Sequence, residues 1–423
     1  MRICVYEDRH VRGLEPLTLT RPASDLICGL DTLSQKQTRF FAASTVGHLC
    51  RAGIDELIRA RDPLCPVNDT DWLRSAPTVL VNARWVPPPR PAFGAPNPFD
   101  EGTHLGTVNG EIAYVVLDVP RLQTLTPDTF EKCFDEWMRT LPAREVSGTL
   151  VRRPWELIDL NASEIVHDFE EKADLHLAKY TASAVALVGP TDQLFIDPTA
   201  RVDPMVVADT TNGPVVIGAG ASVQAFTRLE GPCGIGAGAM IFGAKIRGGT
   251  TVGPNCRVGG EVECSILLGN ANKYHEGFLG HSYVGEWVNL AAGTHTSDLR
   301  FDYRPVTVPV DGVEVATGRT KVGTVIGDHV RTGLGVLLDC GSLIGPFAQV
   351  MPIGGFSPRA IPSFHRFGLG GMKELTDLDR LLATADVMMR RRGKCMTAGL
   401  EAIYRAAASR PAVAEIIPLR RTA

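Results

Sequence analysis

The chain is 423 residues long, 44% hydrophobic and 21% charged, with a formal charge of −4. That length favours two domains, and the slightly acidic balance gives no electrostatic reason to expect nucleic acid or an anionic membrane as partner. Arg2, Glu7, Asp8 and Arg9 stand where a signal peptide needs an apolar run, and no stretch reaches the ~18 apolar residues of a membrane span, so a cytoplasmic protein is expected.

Residues 1–160 read as an α/β domain around a mostly parallel sheet. Arg2–Tyr6, Thr78–Asn82 and Ile112–Leu117 have the apolar character of short buried strands. Leu33–Phe41, Asp55–Ala60 and Phe130–Leu141 have helical spacing and lie between them. Residues 161–190 read as a connector. The 10 cysteines are scattered and form no CxxC pair, the usage of small buried hydrophobes rather than of disulfides or zinc ligands.

From 191 to 368 the pattern changes. Ile217, Val223, Leu229, Ile235 and Ile241 follow one another at steps of six; one residue is dropped, and Ile246, Val252 and Val258 resume. Ile326, Leu338, Ile344 and Val350 keep the same step, with Thr332 in the remaining slot. A period of six fits neither a helix nor an alternating strand. It fits a parallel β-helix of flat sides, each sending one aliphatic residue inward, with a small residue turning the corner. A loop near 297–322 interrupts the phase, a common place for binding residues on a rigid solenoid. Beyond it, residues 369–423 form a helical tail in which Leu375, Leu378, Leu381, Leu382, Ala385 and Met389 make an apolar face. Arg390, Arg391 and Arg392 read as the solvated end of that helix.

The densest polar stretch of the repeat runs from Asn272 to Thr294. His275, Phe278, Leu279 and Gly280, followed by Val288-Asn289-Leu290-Ala291-Ala292-Gly293-Thr294, resemble the acetyltransferase site of the bifunctional enzymes that acetylate glucosamine 1-phosphate and uridylylate the product. Phe278 stands where that family has tyrosine. The whole chain resembles a divergent branch of bacterial sugar nucleotidyltransferases with hexapeptide tails. Pro16-Leu17-Thr18, Thr20-Arg21-Pro22, Asp25-Leu26, Arg247-Gly248-Gly249-Thr250, Cys256-Arg257-Val258-Gly259-Gly260-Glu261 and Ile361-Pro362-Ser363-Phe364 carry that likeness.

The resemblance implies a left-handed β-helix behind a nucleotidyltransferase-like domain, a homotrimer, and acetyl-CoA lying along the solenoid between subunits. Chemistry supports His275 as the base: acetyl transfer needs a deprotonated amine, and an imidazole titrates near working pH. Asn289 is assigned with it, to hold a sugar hydroxyl or amide. Arg247 corresponds to the family's phosphate-binding arginine, and Lys273, Phe278 and Arg257 complete the expected substrate set. The family's lysine before the histidine is replaced by Glu261-Val262-Glu263-Cys264, and its later asparagine and tyrosine by Asp298 and Leu299. The expected acceptor is an amino sugar or glucosamine 1-phosphate, and these departures leave another sugar open.

In the front domain, Arg21, Lys36 and Asn82 are the expected nucleotide-binding residues, and an active domain would use Mg²⁺ with a nucleoside triphosphate and a sugar phosphate. Arg21 paired with Asp25 as a structural clamp is an equal alternative. No metal site is assigned, because His275, His281 and His295 lack the ligand spacing of zinc-binding trimeric β-helices. Two rival functions stay open: a nucleotidyltransferase whose β-helix only assembles the oligomer, and a non-catalytic sugar-nucleotide-binding protein.

Overall fold

The computed structural model describes residues 1–89, 98–126, 129–172 and 185–410. The front domain is built on a six-stranded mixed sheet. Strand Arg2–Tyr6 lies between Thr45–Leu49 and Thr78–Asn82, both parallel to it. Glu111–Leu117 and His104–Val108 extend the sheet antiparallel, and Ala143–Glu145 closes it in parallel. Helices Leu33–Phe40, Ile54–Arg61 and Phe130–Thr140 agree with the sequence periodicity to within about two residues at each end.

The second body is a parallel solenoid with three faces. Nine strands from Leu194–Ile196 to Ala360–Ile361 stack on the first face. The second carries Ser222–Val223, Asn272–Lys273, Arg331–Thr332 and their stacked neighbours. Val206–Asp209, Arg228–Glu230 and Phe278–Gly280 lie on the third. The step-of-six residues line the interior: Ile217, Val223, Leu229, Ile241, Ile246, Val252 and Val258 are all fully buried. The dropped residue also has a cause. Strand Met240–Ile246 runs straight through the corner between second and third faces, with Gly243 in the left-handed region at φ 54°, and the register shifts there. A corner shortened in this way needs one residue fewer.

The corner between first and second faces is an aromatic ladder. Trp287, His329, Phe347 and Phe364 occupy successive coils, each at φ near 60°, with His329 and Phe347 rings 4.6 Å apart and Phe347 and Phe364 rings 5.0 Å apart. Helices Leu378–Arg390 and Ala398–Ala408 cover this ladder, burying Leu382, Ala385, Ile403 and Tyr404 together with Ile54 and Ile58 of the front domain.

Helix Pro154–Glu171 carries the chain past residue 161, where the connector was expected to begin. It continues because both its sides are used. Asn161 accepts from Gly29 N–H of the front domain and donates to the Gly249 carbonyl of the solenoid, at 2.7 and 2.8 Å. Val185–Val188, inside the expected connector, is already a solenoid strand, while 173–184 and the tail from 411 lie outside the described residues. The front domain docks on the first face. Leu30 rests over Gly234, where a Cβ would lie 2.4 Å from it, and the Tyr283 hydroxyl exchanges hydrogen bonds with the Ile27 backbone. The first face is thus covered, and long stretches of the second and third face solvent.

Candidate active site

His275 sits at the corner joining the second face to the third, with its side chain exposed. The corner is held from both sides. Outside, the Tyr274 ring lies 4.8 Å from the imidazole and 4.1 Å from Phe242. Inside stands Lys273, in register with Val258 at a position where other coils place an aliphatic residue. The residue is 3% exposed, and its ammonium donates to the carbonyls of Gly259, at 2.7 Å, and His275, at 3.1 Å. Burial pulls it down to about 8. The reading of Lys273 as a substrate cation gives way to that of an internal prop, because its register turns it into the prism.

The remaining expected residues divide between two faces. On the second, Arg257, Asn272 and Asn289 form an outward ladder, and Asn272 donates to the Asn289 side-chain oxygen at 2.6 Å. That ladder continues through Arg331, Gln349 and Arg366. There a cleft of about 480 Å³ opens against the C-terminal helix, with Arg380, Glu374 and Asp377 on its other wall. Sequence reasoning passed over Arg331, Arg366 and Arg380. The first two were within reach, since each directly precedes an inward residue of the second face.

On the third face, Phe278 pairs with Glu261, and Arg247 lies two strand spacings, about 10 Å, below the Phe278 strand. Arg247 is 44% exposed and donates to Glu261 at 2.7 Å, with Glu230 and Glu263 within 3.9 and 4.0 Å. Glu230 and Glu263 are shared with Arg228 and Lys321, so Arg247 belongs to a network of mixed charge, and a phosphate there meets competition for it. His275 stands at the second-to-third corner, whereas Arg247 lies at the opposite end of the third face, level with Glu263, so the two are at different edges of that face.

The front domain corrects its expected cations. Arg21 is 3% exposed and reaches across to the solenoid, where it donates to Asp328 at 2.5 Å and Glu286 at 3.3 Å. Burial opposes its charge, but the two carboxylates more than offset that and hold it ionised. Asp25 pairs with Arg61 instead. Lys36 is buried between Glu164 and Asp168, at 2.7 and 2.6 Å. Asn82 donates to Asp8, which is held in turn by the buried Arg84. These side chains tie the molecule together rather than face a ligand.

What the sheet does present is a cleft of about 690 Å³ beyond the carboxyl ends of Arg2–Tyr6 and Thr45–Leu49, bordered by Asp8, Arg9, Arg12, Arg51 and Glu131. Crevices at this end of parallel strands are the usual ligand sites of α/β domains, a rule that would have drawn attention to the residues just after the first strand. Arg9 and Arg12 are exposed there. Glu7 and Asp8 are already engaged, by Arg51 and Arg84, so these two do not form a free pair for Mg²⁺.

The molecule thus joins an α/β domain to a solenoid of hexapeptide coils, one corner of which exposes His275. Residues 3–174 match the model of the sugar nucleotidyl transferase family. The chain is 40% identical over 92 residues to a bifunctional sugar-1-phosphate nucleotidylyltransferase/acetyltransferase of Sulfurisphaera tokodaii, covering 22% of this chain and 23% of that protein. It is 38% identical over 104 residues to the bifunctional protein GlmU of Methanococcus vannielii, covering 24% and 25%. These alignments span about a quarter of each relative's length. An uncharacterized acetyltransferase of Escherichia coli K12, YaiX, is 32% identical over 155 residues, covering 36% of this chain and 67% of that protein. The chain belongs to that acetyltransferase family and carries a sugar nucleotidyl transferase domain at its front.

Proposed function

We propose that the solenoid transfers an acetyl group from acetyl-CoA to the amino group of an amino sugar or of glucosamine 1-phosphate. The amine attacks the thioester carbonyl, a C–N bond forms, and the C–S bond breaks. His275 takes the amine proton and returns it to the departing thiolate. The supporting observation is an exposed imidazole whose corner is propped from inside by Lys273. Asn289, one coil further on, is available to orient the acceptor.

Acetyl-CoA fits the second face. From Asn272 to Arg366 the outward ladder crosses four strand spacings, about 19 Å, which suits a pantetheine arm running toward a diphosphate. Arg331, Arg366 and Arg380 would meet that diphosphate. The protein is expected to assemble as a homotrimer, bringing a second subunit against the exposed faces, and light scattering reads that mass directly. Coenzyme A thiol release with a panel of amino sugars tests the reaction. Silence across the panel, or full activity in His275→Ala, would remove it.

For the front domain we propose nucleotidyl transfer to a sugar 1-phosphate in the cleft bordered by Arg9, Arg12 and Arg51, with Mg²⁺ arriving on the triphosphate. Pyrophosphate release from UTP or dTTP is the assay. An inert front domain would leave the sugar-nucleotide-binding reading in its place.

A further inference from the structure

The corner between the third and first faces holds a group of side chains that the proposed transfer does not use. Strand Arg257–Glu263 ends with Glu263 pointing outward, and Cys264 then turns the corner at φ 43°. One coil further on His281 does the same, also at φ 43°. The left-handed backbone at these two residues brings their side chains to the side on which Glu263 emerges. A carboxylate oxygen of Glu263, the Cys264 sulfur and a ring nitrogen of His281 all lie within 4.8 Å of one another. In the next coil Asp298, seventeen residues after His281, bonds the His281 Nδ1 at 2.7 Å. It reaches there across Gly280, where a Cβ would stand 2.6 Å from the Asp298 oxygen.

We infer that Glu263, Cys264 and His281 form a binding site for a borderline-soft divalent transition ion of the zinc type. The donor set is a thiolate, an imidazole and one carboxylate, which suits zinc or cobalt and not calcium or magnesium. His281 offers Nε2 to the ion while Nδ1 is held by Asp298, the carboxylate–histidine arrangement that orients metal-bound imidazoles. Zinc bonds of about 2.0–2.3 Å set ligand atoms about 3.5 Å apart, so the three must close by roughly 1 Å, within the reach of side-chain torsions. Lys321 lies 3.1 Å from the Glu263 carboxylate and Arg247 4.0 Å from it. The Cys264 thiol donates to the Gly248 carbonyl at 3.3 Å and would give up that proton on binding. An ion can enter through the cleft of about 380 Å³ that Cys264 borders with Pro232, Gly248 and Gly249.

Metal binding is read without any activity assay. The full chain, stripped with chelator, is titrated with Co²⁺ and then Zn²⁺. One equivalent of Co²⁺ should give thiolate-to-cobalt charge-transfer absorption that zinc displaces. Cys264→Ser and His281→Ala should abolish it, and Asp298→Asn should weaken affinity about 10- to 100-fold. Zinc should also protect Cys264 of the unaltered chain from alkylation, read by mass spectrometry, while the exposed Cys395 reacts either way as an internal control. This second readout needs no variant to fold. No charge-transfer band, a band unchanged in Cys264→Ser, or equal alkylation of Cys264 with and without zinc would overturn the site.

Discussion

The two bodies of this molecule use their charged residues in opposite ways. In the front domain Arg21, Lys36 and Arg84 are buried and paired, each satisfying carboxylates that hold one element against another. In the solenoid Arg247 and His275 stand in the open, and Lys273 is a charge turned inward. A coil repeating every few strands assigns each position an inward or outward direction. An α/β sheet with irregular connections makes no such assignment, so the same residue types are ambiguous there. Arg21, Lys36 and Arg84 of the first domain act as fasteners, whereas a cation of the second is read by its phase.

The sharpest way to break this contrast is His275→Ala, expected to cut acetyl transfer by about 10²- to 10⁴-fold with the melting temperature unchanged. Equal thiol release in the variant would sink the role of that corner. Next in size is Arg21→Ala, which strands Asp328 and Glu286 across the interface. Breaking a buried pair in this way costs about 3–5 kcal/mol, measurable as a lowered urea midpoint, whereas a nucleotide-binding arginine would leave stability alone.

Lys273→Met tests the inward exception. Its ammonium is held near 8 against 10.5 when unfolded, so the charged form costs stability below pH 8, and that cost is relieved as pH climbs from 8 to 10.5. The variant should be more stable at pH 7 by up to about 3 kcal/mol, with the rise between pH 8 and 10.5 gone. It should also lower kcat, because the His275 carbonyl loses its donor.

The smallest effect concerns the aromatic ladder. Burial holds His329 down to about 3, and its Nε2 is 3.1 Å from the Tyr404 hydroxyl. The unfolded chain takes up a proton below pH 6.5 that the folded one refuses until about 3. This contribution is therefore intact above pH 6.5 and lost as pH falls from 6.5 to 3, amounting to about 2 kcal/mol at pH 5. His329→Phe, in a corner type that phenylalanine already occupies at 347 and 364, should flatten acid denaturation in that window.

Much of the solenoid was legible. The step-of-six positions proved to be its interior, and even the dropped residue reappeared as a shortened corner at Gly243. His275 and Asn289 could be singled out from their motif and lie at the surface or half-buried. The Thr20-Arg21-Pro22 motif was visible but its purpose was not, because Asp328 is more than three hundred residues away. Lys273 was misread for a different reason: its phase marked it as inward, while its charge invited an outward role.

From the sequence alone came the period, and with it the prism, its core and the direction of most side chains, since a repeating backbone makes side-chain orientation a local property. The tertiary structure alone decided which face the front domain covers, which carboxylates engage Arg21 and Lys36, and that Glu263, Cys264 and His281 meet at one corner. Those outcomes depend on contacts between residues distant along the chain and on two left-handed corners, neither of which a local pattern of residue types can encode.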